Sequence, residues 1–122
     1  MTTEDYCSYE VAKLLKEKGF DEKTLTYYEG EMLVHGEYFE WNRSPLGHIS
    51  APTHQMAMKW LRGIHNIYID ISPTYSGIEK TIHFIWQVFD SNYDGIGDCE
   101  IFYGKYEKAC EEAIKYCLEN LI

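Results

Sequence analysis

Apolar residues recur along this chain with two periods, one near 3.6 and one near 2, and the switches between them mark its elements. Val11, Ala12, Leu14, Leu15 and Lys18 form one stripe, with Lys13, Lys16 and Glu17 on the other side, which predicts an amphipathic helix. Ser8 suits the N-cap, Glu10 lies in the first turn and Gly19 supplies a stop, so the helix runs from about Ser8 to Lys18. Phe20 is expected to fold back onto the stripe. Two short strands follow, near Thr24–Tyr28 and Met32–Trp41, around Glu29-Gly30-Glu31, with a bulge or break at Gly36. After the turn-rich connector Asn42–His48, a second helix starts near Pro52, whose fixed φ suits the first helical position. Ser50 and Thr53 both offer a capping oxygen. Met56, Ala57, Trp60, Leu61 and Ile64 share the face expected to meet the core, and Lys59, Arg62 and His65 lie away from it.

Ile67-Tyr-Ile-Asp-Ile71 alternates cleanly as a strand, with the isoleucines inward and Tyr68 and Asp70 outward. Pro73–Glu79 reads as a loop. Thr81–Phe89 is a second strong strand, with Ile82, Phe84, Trp86 and Val88 on one face. The last helix, from about Lys105 to Leu121, buries Tyr106, Ala109, Cys110, Ala113, Ile114, Cys117 and Leu121 and turns Glu107, Glu111, Glu112 and Glu119 to water. The order α-β-β-α-β-β-α predicts one α+β domain over residues 1–122, an antiparallel four-stranded sheet with helices mainly on one face. Tyr68, His83, Ile85 and Phe89 then fall on the opposite face. So apolar a face is usually covered, and a homo-oligomer through the sheet is the expected cover.

Composition sharpens this in three places. The chain has 122 residues, enough for one core without staples, and its eleven tyrosines exceed what that core needs, which puts some on half-wet sheet faces. Residues 1–40 carry ten acids and four bases, residues 41–89 two and four, and residues 90–122 eight and three. Acidic ends work against phosphate-backbone binding and suit a basic partner protein. No apolar run is long enough to span a bilayer, and the acidic start Met1-Thr-Thr-Glu-Asp-Tyr6 is unlike a signal peptide, so the expected compartment is the cytoplasm. Cys7, Cys99, Cys110 and Cys117 form no C-x-x-C pair and read as buried reduced thiols.

The densest set of ligating oxygens is Asp90-Ser-Asn-Tyr-Asp-Gly-Ile-Gly-Asp-Cys-Glu100. Asp90, Asn92, Asp94 and Asp98 occupy the first, third, fifth and ninth positions of a calcium loop, with Gly95 at the sixth. Glu100, however, stands at the eleventh position instead of the twelfth, Ile96 comes one place early, and the entering element is a strand. Asp, Asn and Gly also make ordinary connecting loops. Calcium is therefore the alternative reading, and no other cofactor is expected. The five histidines show no H-E-x-x-H, and there is no P-loop, G-x-G-x-x-G or G-x-S-x-G, so an enzyme is not expected. Tyr68, His83 and Phe89 offer stacking surface for single-stranded nucleic acid, yet Arg43, Lys59, Arg62 and Lys80 are the only bases in that region.

Ile49-Ser-Ala-Pro-Thr53, Lys59-Trp-Leu-Arg62 and Ile67-Tyr-Ile-Asp-Ile71, flanked by Tyr9–Phe20 and Tyr106–Ile114, resemble a family of short uncharacterised proteins from phages, prophages and mobile elements of gut bacteria. The likeness covers most of the chain outside residues 29–48 and 90–104. It implies a small accessory protein of the mobile element, with no activity to carry over. Together these readings predict a small non-enzymatic protein-interaction module.

Overall fold

A computed structural model describes residues 5–122; the acidic start Met1–Glu4 lies outside it. Helix α1 (Tyr9–Glu17) begins where Ser8 Oγ accepts the Val11 N–H at 3.2 Å, and it stops before Gly19, whose φ of 93° is left-handed. Phe20 does fold back: its N–H donates to Leu15 O, and its buried ring meets Trp60 edge-on at 5.5 Å. Strands β1 (Thr24–Glu29) and β2 (Met32–Phe39) form a hairpin. Its register shifts between Thr24↔Phe39 and Thr26↔His35, which places the bulge foreseen at Gly36.

After a 3-10 turn at Trp41–Arg43 comes the two-residue β3 (Ile49–Ser50). Helix α2 (His54–His65) is capped by Thr53, whose hydroxyl accepts the Met56 N–H, so Thr53 and not Ser50 is the cap and Pro52 stands before the helix. Ile64 was expected in the core and is instead exposed, while Met58 is buried in its place. Strands β4 (Tyr68–Ser76), β5 (Thr81–Phe89) and β6 (Gly95–Asp98) precede helix α3 (Tyr106–Asn120).

The α+β class holds, but the single four-stranded sheet does not. The strands form two antiparallel three-stranded sheets, ordered β2-β1-β3 and β4-β5-β6. Pro73 belongs to β4, opposite Phe84, and not to a loop. Phe84 donates its N–H to Tyr103 O and accepts the Tyr103 N–H, both on the far side from Pro73. The place where Pro73 lacks an N–H therefore faces the free edge of β4, where a further strand would need a donor. The β1–β2 hairpin pairs with β3 instead, through Tyr27 and Tyr28 of β1.

The period-2 reading of the second sheet is met except at Ile82, which was expected on the inner face and is exposed. Ile69, Ile71, Phe84, Trp86 and Val88 point into the main core with Val11, Leu15, Trp60, Leu61, Ile114 and Leu118, and the helices cover this inner face. A smaller cluster of Ala12, Tyr28 and Ala51 joins α1 to the first sheet. Buried Thr24 and Thr26 satisfy their hydroxyls on the Thr26 and Ala51 carbonyls at 2.7 and 2.6 Å. The four cysteines are free; Cys7, Cys110 and Cys117 are fully buried, while Cys99, expected to be buried with them, is half-buried.

Strand β6 passes α3 at Gly97, where a Cβ would lie 2.9 Å from Tyr116 Cζ and closer to the ring edge. Tyr116 in turn packs on Trp86, with ring centroids 5.1 Å apart. Gly97→Ala should therefore cost about 1–3 kcal/mol of stability. In a Tyr116→Ala background the same methyl should cost less than about 1 kcal/mol by denaturant titration. An equal cost in both backgrounds would sink the steric account.

Candidate functional site

The outer face of β4-β5-β6 presents Tyr68, Asp70, His83, Ile85, Gln87 and Phe89, the alternation opposite to the core residues. It divides into two parts. At one end, Tyr68 lies directly across from Phe89, and Phe89 stacks on Tyr93 at 4.7 Å with the rings 15° from parallel. These rings, with Asp70, Gln87, Asp90 and Ser91, line a groove of about 420 Å³. At the other end, His83 is not open. Its side chain is 16% exposed, its Nε2 sits 2.6 Å from Glu79 Oε2, and Phe102 lies against it. Ile85 is half-buried. Phe89 and His83 stand six positions apart on the strand, about 20 Å, so the four residues foreseen as one surface share a face, but only Tyr68 and Phe89 line the groove.

The acid-rich segment becomes a hairpin turn. Asp90 Oδ1 accepts the N–H groups of Asn92 and Asp94 at 2.9 and 3.0 Å, and Tyr93 takes a left-handed φ of 63°. Asp94 then leads into β6, and Asp98 ends that strand opposite Gln87, about 13 Å further along, with Glu100 beyond it. The turn and the strand thus spread Asp90, Asn92, Asp94, Asp98 and Glu100 instead of gathering them around one ion. The sequence spacing imitated a calcium loop because the same residues that ligate calcium also make tight turns.

The bases that nucleic-acid binding would need are elsewhere. Arg43 pairs with Asp21 at 3.0 Å and Glu40 at 3.5 Å, Lys59 and Arg62 ride on α2, and Lys80 is in the β4–β5 turn. The groove itself is lined by two carboxylates and by no Lys or Arg.

A second constellation escaped the sequence reading. Among the described residues, Cys7, His54 and Glu111 alone form a group of three or more His, Cys, Asp or Glu whose ligand atoms lie within 4.8 Å of one another. Glu111 was expected to face water. Instead its carboxylate stands 2.9 Å from His54 Nε2 and accepts the Ser8 N–H at 3.2 and 3.3 Å. Side-chain exposure is 8% for His54 and 14% for Glu111, and Cys7 is fully buried. Burial alone would raise the Glu111 carboxyl, but the hydrogen bonds from His54 and Ser8 outweigh it and hold the group below the ordinary carboxylate range. Burial, helped by Glu111 and Cys110, pushes the Cys7 thiol well above its usual value. A thiol that burial keeps protonated is a poor nucleophile, which argues against reading the three as a cysteine-hydrolase triad. No sequence signal links the three residues, which lie 47 to 104 positions apart.

No family model, curated protein or solved structure matches this chain. Function therefore rests on the geometry of the groove and of this buried cluster.

Proposed function

We propose that this chain is a non-enzymatic protein-binding module whose aromatic groove takes a basic, partly apolar segment of another protein. The observation that carries the reading is the lining: Tyr68, Phe89 and Tyr93 beside Asp70 and Asp90, with no cationic side chain among the lining residues. Aromatic faces and carboxylates together suit lysine or arginine, whose aliphatic stems pack on rings while the charge meets both the π-face and the acids. The net charge of −9 steers such a segment inward. The resemblance to mobile-element accessory proteins is consistent with a module that acts through a partner.

A second copy of the chain is the competing occupant. It would bring Asp70 and Asp90 of two molecules together across one interface, and that disfavours it against a basic partner.

Two peptides of equal length separate these ideas, one interleaving Lys and Arg with Leu and the other with Glu in place of the bases. The basic peptide should shift the backbone resonances of Tyr68, Gln87 and Phe89 in an NMR titration. Asp70→Asn should weaken binding roughly fivefold, and Tyr68→Ala tenfold or more. Equal binding of both peptides, or shifts confined to other surfaces, would remove the proposal. A sedimentation mass that rises with concentration and returns to monomer in His83→Glu/Phe89→Glu would assign the face to self-association instead.

A further inference from the structure

We propose that Cys7, His54 and Glu111 form a binding site for a divalent transition metal, with Zn²⁺ the ion that best fits the donors. The site is independent of the groove and lies on the other side of the second sheet's core. Thiolate, imidazole and carboxylate are the three ligand types that zinc accepts, and the ligand atoms already lie within 4.8 Å of one another. A tetrahedral zinc centre spaces nitrogen and oxygen ligands about 3.3 Å apart. His54 Nε2 and Glu111 Oε1, now 2.9 Å apart, therefore need to separate by only a few tenths of an ångström to admit the ion between them.

Each ligand is held by its own element. Cys7 is fixed by its N–H to Pro52 O at 2.9 Å and by the Tyr28 hydroxyl, which donates to Cys7 O at 2.7 Å. His54 opens α2, directly after the Thr53 cap, with its N–H on Asp5 O at 3.0 Å. Glu111 lies on α3 and is oriented by the Ser8 N–H, the kind of outer hydrogen bond that ligating carboxylates use. The cluster thus draws on the segment before α1, the start of α2 and the body of α3. Three protein ligands leave a fourth position, and the small exposure of His54 and Glu111 gives water and the ion a way in.

Without metal, the Cys7 thiol has one weak partner, Thr53 O at 4.0 Å. Binding replaces the S–H bond with an S–Zn bond and releases that proton to solvent. The imidazole proton now directed at Glu111 moves to Nδ1, leaving Nε2 free to coordinate. No oxidant or reductant is needed, and affinity should rise with pH.

The test uses the full chain after chelator treatment, with Co²⁺ as the spectroscopic probe. One equivalent of Co²⁺ should produce a thiolate-to-metal charge-transfer band and tetrahedral d–d absorption, both abolished by Zn²⁺. Cys7→Ser should lose the charge-transfer band, and Cys99→Ser should keep it. If circular dichroism shows Cys7→Ser unfolded, His54→Gln and Glu111→Gln decide, since each should keep the band but weaken Co²⁺ affinity by on the order of 100-fold. Absence of stoichiometric binding, a band that survives in Cys7→Ser, or unchanged affinity in both glutamine variants would overturn the site.

Discussion

Phe20→Ala is expected to lower stability by about 3–5 kcal/mol and Tm by roughly 10–20 °C. Phe20 heads the fully buried side chains by volume and is 1% exposed, although it lies outside any helix or strand. It sits just past the left-handed Gly19, where α1 has ended and the chain reverses. Its N–H is tied to Leu15 O, and its C=O accepts from Asn42 Nδ2 at 2.7 Å, so the backbone on both sides is pinned. The ring is wedged against Trp60 of α2 and cannot be replaced by a small shift of neighbours. The hole left by alanine thus stays largely open, and cavity cost adds to lost transfer energy. Denaturant titration with an unchanged m-value is the measurement. A loss below about 1 kcal/mol would mean that the ring does not link α1 to α2.

Glu111→Ala should cost about 3 kcal/mol, measured on chelator-treated protein. The alanine leaves buried His54 without its acceptor and takes the carboxylate partner from the exposed Ser8 N–H. The effect has a pH signature. The groups facing Glu111 are His54 from α2, Cys7 from the segment before α1, Tyr28 from β1 and, one turn back on α3, Lys108. Its folded pKa is lowered from the usual 4.5. The stability it contributes is therefore fully present above the unfolded value and is lost as pH falls through the lower folded value. The gap between wild type and Glu111→Gln should accordingly shrink as pH falls below about 4. A gap that widens toward acid would show that the carboxyl is protonated more readily in the folded chain, contrary to the geometry.

Much of this was legible in the residue pattern, for reasons that also explain what was not. Strands β4 and β5 follow a period of two, so the faces of Ile69, Trp86 and Val88 on one side and Tyr68 and Phe89 on the other could be assigned before any coordinates. Ser8 announced α1 because a cap is a local interaction. Strand β6 was missed since Gly95, Gly97 and Asp98 are poor strand residues by propensity. Gly97 is there for the clearance that Tyr116 demands, a fact that resides in α3 and not in β6. Glu111 was misplaced for a similar reason. On the helix it neighbours Glu112 and borders the Cys110–Ile114–Cys117 stripe, and only the arrival of His54 from α2 turns it inward. The groove was half foreseen: Tyr68 and Phe89 come from alternation, whereas Tyr93 and Asp90 join them through the turn.

Pro73 bears on how this protein fails as well as on how it folds. A nine-residue border strand is a natural template for a growing fibril, because each arriving chain copies the unmet hydrogen-bonding pattern of the last. On β4 that pattern is interrupted midway by a residue with nothing to donate. The eight-residue border of β2, with Met32, Tyr38 and Phe39 exposed along it, holds no proline and is broken instead by the bulge near Gly36. Both long borders are thus broken midway, one by a missing donor and one by a shift of register, and neither offers an arriving chain an unbroken template.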